Sequence, residues 1–221
     1  MNFPGEFNIG SFTGPEKDSH LIAIITYLQF NLFSFVSEYK SKYTNVEIER
    51  GISQELCSYL QSKIIAEPFY FQAEDMVDVT DGHSPSVDIG IKNHTERKTI
   101  FSIEAKRLPL PTKRREKEYL IGNNGICGGV ERFKRSIHGK GLSHSALLGY
   151  VQSEDFDYWF VLINSWIDEL IKDPIKNIKW NKNDKLRINY IKSEIAELIS
   201  INKRDDDSIT LYHFWLNLVV N

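Results

Sequence analysis

Pro85–Arg107 reads PSVDIGIKNHTERKTIFSIEAKR. Two short apolar runs flank a polar, turn-forming loop, Asn93-His94-Thr95-Glu96-Arg97, and this pattern predicts a β-hairpin. In the first run Val87, Ile89 and Ile91 alternate with Ser86, Asp88, Gly90 and Lys92. In the second, Phe101, Ile103 and Ala105 alternate with Ser102, Glu104 and Lys106. Side chains two apart on a strand share a face. Glu104 and Lys106 therefore project together, and pairing the strands brings Asp88 to the same polar surface.

There is a chemical reason to gather those groups. Two neighbouring carboxylates repel, and a hard divalent cation offsets the repulsion by taking oxygens from both. Mg²⁺ keeps several waters and uses few protein carboxylates, which leaves room for a substrate phosphate. It also acidifies a bound water and stabilises charge on the phosphoryl oxygens. On this reading Asp88, Glu104 and the Ala105 carbonyl bind the metal, and Lys106 serves the nucleophile. The alternative for the same residues is a solvated hairpin face with an ordinary cross-strand lysine–carboxylate pair.

Working outward, 221 residues predict one domain of generous size. A hydrophobic content of 41% supports a sizeable core and argues against disorder. A net charge of -3 advertises no nucleic acid globally, so any such contact must come from local patches. Cys57 and Cys127 are far apart, with no CxxC spacing, which fits a reducing cytoplasm rather than a disulfide framework. The first twenty residues lack a basic region followed by an apolar core, so no secretory signal is expected. Leu21–Val36 is apolar but interrupted by Thr26, Gln29, Asn31 and Ser34. A buried helix over about 19–42, capped by Ser19, is expected there, and no membrane span.

A second helix is expected over Val46–Ala66, with Ile48, Ile52, Leu56, Leu60 and Ile64 on one stripe. Glu49 and Glu55 lie off that stripe, and either one is a candidate third carboxylate for the metal. Phe69–Glu74 reads as a strand leading into the hairpin, followed by a loop with Asp78, Asp81, Gly82 and His83. After Arg107, Pro109 and Pro111 break regular structure and Lys113, Arg114, Arg115 and Lys117 form a basic cluster. Gly122, Gly125, Gly128 and Gly129 lack the order of a phosphate loop and read as a flexible approach to a helix over Gly129–His138. Arg132 and Arg135 sit at the rim of that helix, and Glu131 is spaced to pair with Arg135. Ser143–Gln152 reads as a strand and Glu154–Lys172 as a helix; Asp173–Arg187 reads as a surface excursion. Ile188–Ile201 suits a strand or a short helix, and Glu194 and Glu197 tilt it to helix. Ser208–Val220 reads as a closing strand. His138 and His144 match no zinc spacing and read as structural or surface groups.

This order is a helix, three strands carrying Asp88 and Glu104-Ala105-Lys106, a glycine-led basic helix and a further strand. It resembles the PD-(D/E)xK nuclease superfamily, the restriction-endonuclease-like fold. The resemblance covers about residues 46–152, where GGVERFKRSIHG followed by SALLGYV is similar to the helix–strand half of such nucleases. The usual proline before the aspartate is absent, since Ser86-Val87 precede Asp88. The resemblance implies an α/β fold: a central mixed β-sheet flanked by helices, with extra helical elements at both ends. It implies one domain over 1–221, with its core at about 46–152 and an elaboration over 153–221. It further implies Asp88 and Glu104 as metal ligands, Lys106 as the catalytic lysine, and Glu49 or Glu55 as the acid from the preceding helix. Arg132 or Arg135 would be the polar helix residue that supports the site. The cofactor would be Mg²⁺, with Mn²⁺ as a substitute.

The expected function is a metal-dependent cytoplasmic endonuclease that hydrolyses DNA phosphodiesters, an effector in anti-phage defence, with an ATPase or sensor subunit as a conceivable partner. Arg107, Lys113, Arg114, Arg115, Arg132 and Arg135 are the expected contacts to the nucleic-acid backbone. The site chemistry serves RNA as well as DNA, and a homo-oligomer stays open. The competing expectation is a catalytically inactive nuclease fold used for nucleic-acid binding or complex assembly.

Overall fold

Alternating strands need one covering layer, whereas a near-continuous apolar run such as Ala146–Val151 needs a layer on either side of the sheet. A computed structural model describes residues 17–43, 48–76, 84–109, 113–123, 127–175 and 177–219. The expected loop Asp78–His83, the aromatics Phe3, Phe7 and Phe12, and Val46, Glu47, Pro111 and Gly125 lie outside the described residues, as do the side chains of Lys113 and Arg114.

The protein is α/β. Helix α1 spans Lys17–Lys42 and α2 spans Glu49–Ser62; strands β1 (Phe69–Met76), β2 (Ser86–Asn93) and β3 (Thr99–Leu108) follow. A 3-10 helix at Lys113–Tyr119 leads to α3 (Gly129–Lys134), β4 (His144–Val151) and α4 (Phe156–Lys172). Then come β5 (Arg187–Ile191), β6 (Ile195–Lys203) and β7 (Ser208–Asn217). The seven strands form one mixed sheet in the order β1-β2-β3-β4-β7-β6-β5. The β3–β4 and β4–β7 pairs are parallel and the others antiparallel.

The predicted hairpin is present. Asn93 closes its loop by accepting the backbone N–H groups of Glu96 and Lys98 through its side chain. Ile89, Ile91, Ile103 and Ala105 join α1 and α2 in one core, with Leu28, Leu32, Phe35, Ile52, Leu56 and Leu60. The other face of the sheet packs on α3 and α4 through Leu147, Leu198, Leu211, Trp215, Phe133, Ile163 and Ile167. Helix α1 is long and apolar enough to cross a membrane by length and composition. It lies on the sheet, burying Ile24, Leu28, Leu32, Phe35, Val36 and Tyr39. It starts at Lys17, so Ser19 falls inside it rather than capping it.

Three expectations are corrected. Ile188–Ile201 holds no helix: it is β5, a turn and β6. Strand β6 is paired along both edges, by β5 and β7, and its two faces are covered by the two cores, Ile195 in one and Ala196 and Leu198 in the other. Glu197, which suggested a helix surface, is buried on β6 and accepts Gln29 Nε2 at 2.6 Å and Asn189 Nδ2 at 2.7 Å. The C-terminal part is not helical alone: besides the expected helix α4 it supplies β5, β6 and β7, and β7 inserts between β4 and β6 and extends the central sheet. The segment after α4 is not a solvated excursion either: Ile178, Trp180, Asp184 and Leu186 are buried, and Asp184 pairs with buried Lys134 at 2.7 Å.

A buried polar chain crosses the α3/α4 side. Trp215 Nε1 donates to Tyr119 Oη at 2.9 Å, and Tyr119 Oη meets His213 Nδ1 at 2.9 Å. His213 Nε2 lies 2.8 Å from Ser200 Oγ, which also accepts from Asn202 Nδ2 at 2.8 Å. An indole only donates, so the tyrosine hydroxyl accepts from Trp215 and has its own hydrogen available for the contact with Nδ1. Burial pushes the His213 pKa down to about 3, so the ring is neutral. Ser200 and His213 are fully enclosed. Their contact orders the core and offers no accessible nucleophile.

Candidate active site

The register places the acids. Ile89 pairs with Ile103 across β2 and β3, so one step along the hairpin Asp88 opposes Glu104. Both project to the α3 side, away from the core that takes Ile103 and Ala105. Asp88 Oδ2 accepts the backbone N–H of Ala105 at 2.7 Å. The surface is not a solvated hairpin face: Glu104 is 2% exposed and Lys106 5%.

Lys106 Nζ is the centre of the cluster. It donates to Glu104 Oε1 at 2.9 Å, to Glu49 Oε1 at 3.0 Å and to its neighbour's carbonyl, Ala105 O, at 2.7 Å. Glu49 stands in the first turn of α2, where a carboxylate suits the positive end of the helix dipole. Its other oxygen accepts the backbone N–H of Arg107 at 3.1 Å. Of the two candidate glutamates, Glu49 is therefore at the site. Glu55 is not; it pairs with Lys42 on the surface.

Glu104 is held from its far side. Arg132 Nη1 lies 3.5 Å from Oε1, and His138 Nδ1 lies 3.2 Å from Oε2, close enough for electrostatic contact but off the line of a hydrogen bond. Arg132 Nη1 is also 3.4 Å from His138 Nε2. A guanidinium only donates, so Nε2 is the acceptor in that contact and Nδ1 is the ring nitrogen that faces Glu104. Arg132 Nε in turn donates to Cys127 O at 3.2 Å, which fixes the guanidinium plane.

The charges follow from this packing. Burial pushes the Asp88 carboxyl up to about 7, with the neighbouring charges of Glu104 and Glu49 adding to it. Burial alone would also raise Glu104, but Lys106, His138 and Arg132 outweigh it and hold that carboxyl at about 2. Burial opposes the Lys106 charge, yet Glu104, Glu49 and Asp88 keep its ammonium protonated well above the ordinary lysine range. As placed, Lys106 is a fixed cation and hydrogen-bond donor and cannot accept a proton from water.

The expected backbone contacts have diverse placements. Arg107 Nε donates to Gln152 Oε1 at 2.6 Å. Arg115 forks onto Glu118 at 2.5 and 2.7 Å. Arg135 pairs with Glu131 at 3.0 Å. Arg132 belongs to the acid cluster rather than to the rim. Lys113 and Arg114 lie on the 3-10 helix, which starts within five residues of the end of β3.

Two site residues are not among those expected from the sequence. Glu118 is buried beside the cluster. Burial opposes its ionisation, but Arg115 and, further off, Lys106 and Arg132 hold it below the usual carboxylate range. His138, which reads as a structural or surface group in the sequence, is fully buried against Glu104. The helix expected to reach His138 stops at Lys134, and His138 lies in the turn that follows it, so no helical spacing marks the residue in the sequence.

Asp88, Glu104, Glu49 and the Ala105 carbonyl form an all-oxygen donor set of the kind a hard divalent cation takes. Three of those oxygens already converge on one cation, the Lys106 ammonium, within 3.0 Å. Among the described residues no three His, Cys, Asp or Glu side chains gather about an open cation-sized point. The donor types thus fit a divalent ion, and the convergent point is taken by lysine.

No family model, curated protein or solved structure matches this chain.

Proposed function

We propose that the protein is a metal-dependent endonuclease that hydrolyses DNA phosphodiesters, with a restriction-endonuclease-like core in α2-β1-β2-β3-α3-β4. The observation that carries this is the convergence of Glu49, Glu104 and the Ala105 carbonyl on one cation beside Asp88. The antiparallel β1-β2-β3 meander with β4 added parallel to β3 across α3 also supports the resemblance.

In this reading Asp88, Glu104 and the Ala105 carbonyl, with Glu49, hold Mg²⁺ or Mn²⁺. The ion would supply Lewis-acid stabilisation of the phosphoryl oxygens and a more acidic water. Lys106 donates to the attacking water or to a phosphate oxygen, consistent with its fixed positive charge. Arg132 and His138 keep Glu104 ionised and oriented. Arg107, Arg115 and the start of the 3-10 helix at Lys113 and Arg114 are close in the chain to the end of β3, where a phosphate backbone would pass.

Incubating the purified chain with plasmid DNA and with RNA, with Mg²⁺, Mn²⁺ or a chelator, tests the proposal. Metal-dependent cleavage is expected, and its loss in folded Asp88→Ala, Glu104→Ala and Lys106→Ala. Undiminished cleavage in those variants rejects it. Cleavage of RNA alone would keep the chemistry and change the substrate.

One observation favours a second reading. The cluster is already neutralised internally by Lys106, as in a catalytically inactive fold that binds nucleic acid or assembles with a partner. In that case binding survives chelation and the three variants bind as the wild type does.

A further inference from the structure

Lys106 Nζ contacts Glu104 Oε1, Glu49 Oε1 and Ala105 O at 2.9, 3.0 and 2.7 Å. These are oxygens that the nuclease reading assigns to a divalent cation. An ammonium and a metal ion cannot share the same lone pairs. Mg²⁺ draws its oxygens in to about 2.0–2.1 Å, whereas the lysine holds them near hydrogen-bonding distance. Resting on the nuclease reading of these oxygens, we propose that Lys106 is the resident cation of the metal-free site, and that a divalent ion gains Glu49, Glu104 and the Ala105 carbonyl only by displacing it.

The surroundings suit such an exchange. When the ammonium leaves, Glu49 keeps its bond from the Arg107 N–H, so the carboxylate stays aimed at the site. Glu104 keeps Arg132 and His138, so it is not left as an unpaired buried charge. Lys106 is tethered two residues from Glu104 on the same strand face. Once displaced, its ammonium stays beside the cation, where a water or a phosphate oxygen would lie. One side chain thus neutralises the empty acid cluster, sets how tightly a cation binds, and becomes a donor once the cation is in place.

The test uses the full chain and Mn²⁺ as the probe. Mn²⁺ binding is measured by electron paramagnetic resonance on wild type, Lys106→Met and Arg132→Met. Lys106→Met is expected to bind roughly tenfold or more tightly, because a competing unit charge has gone. Arg132→Met removes a nearby charge that does not touch the Ala105 carbonyl or Glu49, so its gain should be smaller. The wild type supplies an independent readout through amine acylation mapped by mass spectrometry. Lys106 should be shielded in chelator and become reactive at saturating Mn²⁺.

Binding in Lys106→Met that is no tighter than wild type, an equal gain in Arg132→Met, or a Lys106 that stays shielded with Mn²⁺ bound, overturns the inference. A wild type that binds Mn²⁺ and exposes Lys106 yet cuts neither DNA nor RNA leaves the inference standing and ends the nuclease reading.

Discussion

Glu49 on α2 accepts the backbone N–H of Arg107 on β3 at 3.1 Å, while its second oxygen takes the Lys106 ammonium. One carboxylate thereby ties the start of a helix to the end of the strand that bears the candidate catalytic lysine. Glu49→Gln keeps an acceptor for Arg107 and removes the charge. Metal-dependent plasmid cleavage by this variant should fall roughly 10- to 100-fold, the scale typical of lost metal-site partners. Glu55→Gln, six residues on and paired with Lys42 at the surface, should cleave as the wild type does. Equal rates for Glu49→Gln and wild type would remove Glu49 from the site.

Glu131 is fully buried, and one of its oxygens accepts two backbone N–H groups, Gly122 at 2.9 Å and Gly128 at 3.0 Å. It thus pins the glycine-rich approach onto the start of α3, the helix that presents Arg132 to Glu104. Glu131→Ala leaves both donors unpaired, at about 1–3 kcal/mol each. Urea unfolding should show a loss of about 2–6 kcal/mol. Glu131→Gln, which keeps an acceptor, should lose less.

The neutral His213 makes stability depend on pH. Its folded pKa of about 3 lies below the ordinary histidine value, so the unfolded chain takes up a proton first as pH falls. The contribution is fully present above about pH 6.5 and is lost progressively down to about pH 3. Between pH 6.5 and 5 the loss should be about 2 kcal/mol in urea unfolding, from roughly 1.4 kcal/mol per pH unit. His213→Gln should be less stable at pH 7 and show a flatter pH dependence over that range. An unchanged slope in the variant would assign the effect to other groups.

Lys106, Gly149 and Trp215 lie in one row across β3, β4 and β7. A Cβ on Gly149 would meet Trp215 Cδ1 at 2.4 Å and Leu108 Cδ1 at 3.0 Å. The indole can lie over the strand beside the lysine only because Gly149 has no side chain. Gly149→Ala should cost about 1–3 kcal/mol through overpacking, read as a lower urea midpoint with an unchanged slope. Because Trp215 also donates to Tyr119, near-ultraviolet circular dichroism should change as well.

Local pattern was enough for the hairpin and its polar face. Period-two alternation in Val87–Ile91 and Phe101–Ala105 set which side chains face together. The short loop then fixed the antiparallel register that puts Asp88 opposite Glu104. Those are properties of neighbouring residues, and they survive into the structure as expected. The helices at α1, α2 and α4 were legible for the same reason: their apolar residues recur at helical spacing.

What local pattern could not supply was any relationship made across the chain. Glu49 and Glu55 look alike on the sequence, both off the apolar stripe of one helix, and only the docking of α2 on β3 brings one of them to Lys106. Ile188–Ile201 holds Glu194 and Glu197, which suit a helix surface. Pairing with β5 and β7 made it strand, with Glu197 buried on two amide donors. His138 and Glu118 carry no short-range signature of their roles, since their partner Glu104 or its neighbours lie on another element. Side-chain periodicity is written in adjacent residues. Charge, burial and hydrogen-bond partnership at this site depend on which elements the sheet and its two cores bring together.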